Sequence, residues 1–145
     1  MRWNVVDRRR ILSKIDELDS YLKDLRKICP VSFRDYQKIE KKRSCERLLQ
    51  LSVECVIDIC KSFVGGLKLG MPSEERDVFD KMFASKLISK NIVSLLSDMR
   101  AFRNLLVPEY AKIDDSLVFE KLKNDLSDFD KIKKALLQAL AKHPR

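Results

Sequence analysis

The sequence predicts an all-α protein, an up-and-down antiparallel bundle of four long helices with one short accessory helix. Two observations support this class. There are only three glycines and four prolines among 145 residues, too few for the many turns of a β-sheet protein. Apolar residues also recur at alternating spacings of four and three, the period of one buried helix face. We expect residues 1–145 to form a single domain whose tail frays from about residue 142.

The first two long helices are expected on either side of Pro30. An apolar stripe over residues 11–25 predicts helix one, which the proline ends. Ser32 is a suitable N-cap for a short basic turn that follows. A second stripe covers residues 49–63 and stops at the glycines at 65 and 66. Because other angles of this segment are also apolar, we expect it to be the central helix.

Three further segments complete the predicted bundle. Residues 72–75, Pro-Ser-Glu-Glu, supply a cap and an acidic first turn for the short accessory helix. The alternating spacing resumes over residues 88–106 and predicts a helix that ends near Pro108. The aspartates at 114 and 115 precede one last helix, which extends to about residue 140 with a single inward stripe.

The formal net charge is +8, and most of this excess lies in the front half of the chain. Residues 1–72 carry sixteen basic and ten acidic groups, a balance of +6, whereas residues 73–145 carry fourteen and twelve, a balance of +2. Basic runs at residues 8–10 and 34–47 could bind nucleic acid without sequence specificity. The same runs lie among acidic residues, as on ordinary solvated helix faces, so both interpretations stay open.

Several common kinds of site are not indicated. The four cysteines lack Cys-x2-Cys spacing, and the chain has a single histidine as a further possible ligand, so we expect no metal site. We expect all four cysteines to be buried, reduced thiols in the cytoplasm. Glycine-rich phosphate loops and hydrolase motifs are absent from the sequence, and no cofactor is expected. No apolar run approaches the roughly 20 residues that span a bilayer, so we expect neither secretion nor a membrane partner.

Polar groups cluster where the helix before Pro108 ends. Arg103 and Tyr110 are seven residues apart, so they would share a face of a continuous helix. Because proline removes an amide donor and disfavours helical geometry in the residue before it, we expect the backbone to turn and return Tyr110 toward Arg103. A guanidinium, a phenol and the Asn104 amide suit a phosphate-bearing ligand. The same grouping is also typical of a capped helix end with a half-buried tyrosine.

Residues 103–110, Arg-Asn-Leu-Leu-Val-Pro-Glu-Tyr, resemble the Arg-x4-His-x-Tyr signature of HepT-like HEPN proteins. Residues 46–58 are similar to the second helix of that family, and residues 113–120 resemble the segment after its motif. The resemblance covers about residues 8 to 130 in the expected order. It is therefore much more specific than the eight-residue motif alone.

The resemblance implies both an activity and partners. It implies a HEPN bundle that forms a homodimer, with two motif copies in one cleft that cleaves RNA without a metal. It implies a toxin that is neutralised by a minimal nucleotidyltransferase (MNT) antitoxin. Arg103, Asn104 and Tyr110 would be its catalytic residues, and Tyr110 would also accept AMP from the antitoxin. AMPylation there would place negative charge where an RNA phosphate must bind.

Pro108 stands where the family motif carries histidine. Attack by an RNA 2′-hydroxyl needs a base and an acid, and proton transfer typically contributes about 10²- to 10⁴-fold to the rate. Proline supplies neither, and arginine and asparagine do not replace an imidazole near neutral pH. The sequence therefore predicts a ribonuclease toxin subunit that is inactive or attenuated.

Two explanations of Pro108 are open. The retained Arg103, Asn104 and Tyr110 favour a substitution selected in an otherwise active toxin, because expression in growing cells selects against the lethal residue. The other explanation is a natural family member that has lost cleavage. Under the latter, the alternative function is a non-catalytic helical interaction module that binds a nucleotidyltransferase or nucleic acid.

Overall fold

The computed structural model describes residues 6–107 and 112–143. Within these ranges the chain forms seven α-helices and no β-strand, so the predicted all-α class is confirmed. None of the helices in this described part is long and apolar enough to cross a lipid bilayer. The helices are α1 (Arg8–Ile28), α2 (Phe33–Tyr36), α3 (Ile39–Gly66), α4 (Glu75–Ala84), α5 (Lys90–Leu106), α6 (Asp115–Asn124) and α7 (Ser127–Ala141).

Side-chain caps explain where several helices begin. In four helices the N-cap side chain accepts a hydrogen bond from the backbone amide three residues later, at 3.0–3.3 Å. These caps are Asp7, Ser32, Ser89 and Asp114. The cap of the accessory helix α4 was predicted within residues 72–75; the structure has Glu74 at the N-cap position, and its side chain makes no capping bond. Instead, the Asp77 carboxylate accepts a bond from the Ser73 amide at 3.0 Å and orders the turn that leads into the helix.

Helix α3 is the central element, as its apolar circumference predicts. It packs against α1, α2, α4 and α5. Its buried apolar residues include Leu49, Val53, Cys55, Val56, Ile59, Cys60 and Phe63. The facing side of α1 buries the predicted stripe Ile11, Ile15, Leu18, Leu22 and Leu25. Helices α4 and α5, which carry the candidate site, pack against α3 and against each other.

The last helix of the sequence prediction is two helices, α6 and α7, separated by Asp125 and Leu126. The Asp125 carboxylate lies 3.1 Å from Lys121 Nζ, and the Asp125 carbonyl accepts a bond from the Asp128 amide at 3.0 Å. Residues 124–127 read Asn-Asp-Leu-Ser, and such polar side chains favour local hydrogen bonds over helical continuation. The apolar stripe nevertheless stays inward across the interruption. Its buried members are Leu122, Phe129, Ile132, Leu136 and Leu140.

The four cysteines are unpaired thiols, and three of them are buried. Burial raises the pKa of Cys45 and of Cys55 to about 11. It raises the pKa of Cys60 to about 12. Cys29 is partly exposed, so the expectation of four buried thiols is wrong at this residue. It follows Ile28, the last residue of α1, at the surface connection to α2.

Candidate functional site

Helix α5 places Arg103 and Asn104 on its last turn. The helix buries Leu96, Met99, Phe102 and Leu106 in the core. Arg103 follows directly after Phe102, so its side chain leaves the helix at the edge of the buried stripe and only 14% of it is exposed. Asn104 lies one residue further round and is exposed. The packing of α5 therefore fixes the arginine and leaves the amide accessible to solvent.

Arg103 makes two side-chain hydrogen bonds that fix its guanidinium. Its Nε donates to Asn104 Oδ1 at 3.0 Å, so the structure brings these two predicted site residues together. Its Nη2 donates to Oε1 of Glu75, a residue in the first turn of α4. Charge-assisted bonds of this kind are stronger than neutral ones and set the orientation of the planar group.

Glu75 is the centre of a charged cluster. Its Oε1 also accepts a bond from Arg100 Nε at 3.2 Å, and its Oε2 lies 3.8 Å from Lys61 Nζ. Burial raises the pKa of the Glu75 carboxyl, but hydrogen bonds and charge from Arg103, with Arg100 and Lys61, outweigh burial and lower the pKa below its ordinary value. The carboxyl is therefore ionised near neutral pH, and the four groups carry a formal balance of +2.

Glu75, Arg100 and Lys61 were not predicted as site residues from the sequence. One signal was available, because Arg100 and Arg103 are three residues apart and share one face of α5. The approach of α4 and α3 to this face depends on tertiary packing and had no sequence signature.

Pro108 and Tyr110 lie outside the described residues. The expected return of Tyr110 toward Arg103 therefore stays a prediction. Between Asn104 and the last described residue before the gap, the exposed side chains are apolar, with Leu105 53% and Val107 48% exposed. Leu106 between them is buried.

The basic run at residues 34–47 is largely neutralised within the fold. Four of its cations lie within 4.0 Å of a carboxylate, and two of these pairs are tight, Lys42 with Asp115 at 2.7 Å and Arg43 with Glu46 at 2.8 Å. These pairs favour the interpretation of the run as structural surface rather than as a nucleic-acid patch. The cluster around Arg103 differs, because three cations there share one carboxylate.

The all-helical bundle, with Arg103 and Asn104 of the motif on the last turn of α5, is the architecture that the resemblance to HepT-like HEPN proteins implies. Residues 18–136 match the family model described as Ribonuclease HepT-like, so the chain belongs to the HepT-like family. The resemblance drawn from the motif and its flanking segments is thereby confirmed.

Two curated relatives cover most of the chain. It is 29% identical over 110 residues to the tRNA nuclease HepT of Aphanizomenon flos-aquae, an alignment that covers 75% of each protein. It is 25% identical over 120 residues to the mRNA nuclease HepT of Shewanella oneidensis, in an alignment that covers 83% of this chain and 90% of the relative. The two nucleases are named for different RNA classes, so the RNA class does not follow from membership of the family.

Solved structures share the fold. The tri-AMPylated Shewanella oneidensis HEPN toxin in complex with its MNT antitoxin has a TM-score of 0.80 at 24% identity, over 88% of this chain and 96% of that one. A cytosolic protein of unknown function from Bacillus subtilis has a TM-score of 0.79 at 20% identity, over 98% and 94%. At these identities the likeness shows the all-helical fold.

Proposed function

We propose that this chain is the ribonuclease toxin subunit of a HEPN/MNT toxin–antitoxin pair, with RNA cleavage attenuated or lost because Pro108 occupies the histidine position. One observation carries the proposal. Arg103, the first residue of the family motif, is mostly buried and oriented by Asn104 and Glu75 inside a cluster with a balance of +2. A fixed guanidinium with excess positive charge around it is suited to an RNA phosphate.

The reaction assigns roles to Arg103 and Asn104. The 2′-oxygen of RNA attacks the adjacent phosphorus, a new P–O bond forms, and the bond to the 5′-oxygen breaks. Arg103 stabilises the charge that develops on the non-bridging oxygens, and the exposed Asn104 amide orients the phosphate. A base must take the 2′-hydroxyl proton and an acid must protonate the leaving 5′-oxygen, and Pro108 can do neither.

The proposed partners follow from family membership. The Shewanella oneidensis toxin is AMPylated and bound to an MNT antitoxin, and we expect an antitoxin of this class to bind the present chain. Its target here is Tyr110: the phenol loses its proton to solvent, its oxygen attacks the α-phosphorus of ATP and pyrophosphate leaves, so that Tyr110 carries AMP through a phosphodiester. We also expect a homodimer, with the exposed apolar side chains of Leu105 and Val107 at the contact beside the motif.

The test restores the missing proton carrier. Pro108→His should gain RNA cleavage in vitro and growth arrest in cells, whereas Pro108→Gln, which also removes the ring but does not titrate, should remain inert. Adding Arg103→Ala to Pro108→His should abolish both gains. A folded, dimeric Pro108→His protein that leaves RNA intact would refute the nuclease proposal. If that protein still bound the nucleotidyltransferase, the result would favour the interaction module.

A further inference from the structure

Glu75 joins two arginines that stand side by side on another helix. Its Oε1 accepts hydrogen bonds from both Arg100 and Arg103 of α5, and its Oε2 faces Lys61 of α3. One carboxylate of α4 thus gathers cations from two other helices. The three cations surround the Glu75 carboxylate as they would surround a bound anion.

The Glu75 carboxylate compensates the charge of two neighbouring arginines. They are three residues apart on one helix face, where like charges repel. Only 14% of the Arg103 side chain and 28% of the Arg100 side chain are exposed, so water screens the repulsion less than at an open surface. The shared Glu75 oxygen offsets the repulsion and holds both guanidiniums in place.

The cluster keeps most of its donors for a ligand. An arginine carries five N–H donors. In the described part of the chain, side-chain hydrogen bonds use the Nε and one Nη2 donor of Arg103, and only the Nε donor of Arg100. The remaining N–H donors of the two guanidiniums and the balance of +2 are suited to a phosphodiester.

We propose that Arg100 and Arg103 form one paired binding site for the RNA phosphate backbone, and that Glu75 is the positioning residue that holds them as a pair. This inference rests on the proposed function and adds to it a second phosphate ligand and the residue that orients both. Glu75 itself does not touch the RNA.

Replacement of Glu75 by glutamine distinguishes two roles of the carboxylate, positioning of the two arginines and electrostatic repulsion of RNA. If the carboxylate is only a negative charge near the RNA, Glu75→Gln should bind RNA more tightly, because a repulsive group is gone. If it positions the arginines, the same variant should bind more weakly although the protein has become more positive. Glu74 provides a matched control, since it is adjacent, acidic and exposed.

The experiment measures binding of a fluorescent single-stranded RNA of mixed sequence to the full chain across a range of salt concentrations. We expect Glu75→Gln to weaken binding about tenfold, the scale of a lost charge-assisted hydrogen-bond partner. Glu74→Gln should stay within about twofold of the parent, because an exposed charge is well screened. Arg100→Gln should weaken binding and reduce the slope of log affinity against log salt by about 0.7, the loss of one phosphate contact on a single strand.

A double-mutant cycle separates positioning from a general structural effect. In an Arg100→Gln/Arg103→Gln background, Glu75→Gln should cost little further affinity, because both arginines that it positions are absent. A merely structural role would give the same loss in both backgrounds and overturn the proposal. Circular dichroism and thermal unfolding verify that each variant is folded. If Glu75→Gln does not fold, non-additive losses for Arg100→Gln and Arg103→Gln test the pair directly, and additive losses would refute it.

The failures of the two proposals are distinguishable. Glu75→Gln binding RNA as tightly as Glu74→Gln, with Arg103→Gln still defective, overturns the paired site and leaves the phosphate role of Arg103 intact. Arg103→Gln binding RNA like the parent removes the RNA site of the proposed function, and the paired site with it.

Discussion

Glu75 accepts a hydrogen bond from Arg103, a residue 28 positions later in the sequence, and the bond connects the first turn of α4 with the last turn of α5. The contact joins two helices that pack against each other. The Arg103 guanidinium, with Arg100 and Lys61, lowers the pKa of Glu75. The ionised carboxylate is therefore more stable in the folded state than in the unfolded state.

The first prediction is a loss of stability in acid that depends on Glu75. Because its pKa is lowered in the folded state, its contribution is fully present above the unfolded pKa, near 4.5, and is lost as the pH falls through the folded pKa. Thermal unfolding between pH 7 and pH 3 should therefore show a steeper decline in stability for the parent than for Glu75→Gln. Glu74→Gln should follow the parent, and parallel curves for the parent and Glu75→Gln would contradict the assignment.

The second prediction concerns the buried hydroxyl of Tyr36. The ring is fully buried and lies near Phe33 and Phe119, with ring centroids 6.5 and 6.2 Å away. Its hydroxyl has no hydrogen-bond partner within the described residues, so it loses hydration without compensation. Tyr36→Phe should leave the free energy of unfolding in urea unchanged or raise it by about 1 kcal/mol.

Tyr21 provides the control for this substitution. Its hydroxyl donates to Glu17 at 3.2 Å on the exposed side of α1, so Tyr21→Phe should change stability by less than about 0.5 kcal/mol. If Tyr36→Phe instead lost more than about 1 kcal/mol, the Tyr36 hydroxyl would have to make a bond that the described contacts lack.

The helices could be predicted from sequence where apolar spacing and capping residues determine their position. Spacings of four and three located the buried faces of α1 and α3, and Ser32 capped α2 as expected. The interruption at Asp125 was not predicted because the apolar stripe continues through it, and periodicity alone does not register a change in backbone hydrogen bonding.

The candidate site was predictable only where its residues are neighbours in sequence. Arg103 and Asn104 are adjacent, and the structure confirms their contact. Glu75 comes from a different helix, α4. In the sequence it is one acidic residue in a first helical turn, and many helices carry such a residue. Its role arises from the packing of α4 on α5, which no local pattern encodes.

The third prediction is that one of the four thiols reacts rapidly in the native protein. The reactive species is the thiolate, and burial raises the pKa of Cys45, Cys55 and Cys60 far above neutral pH. Cys29 is partly exposed. With a chromogenic disulfide reagent near pH 8, we expect one fast equivalent, and the remaining three should react only after unfolding. Cys29→Ser should remove the fast phase, and a fast phase that survives this change would contradict the burial pattern.

The last prediction compares two phenylalanines of α4, the helix that carries Glu75. Phe79 is fully buried, whereas Phe83 is 46% exposed one turn later. Truncation of a buried phenylalanine removes its transfer free energy and leaves a cavity, so Phe79→Ala should lower the free energy of unfolding by about 3–5 kcal/mol. Phe83→Ala leaves no enclosed cavity and should cost less than about 1 kcal/mol. Similar losses for the two variants in urea unfolding would show that α4 is not held to the core through Phe79. Because α4 brings Glu75 to Arg103, Phe79→Ala should also weaken RNA binding under conditions in which the variant remains folded, while Phe83→Ala should not.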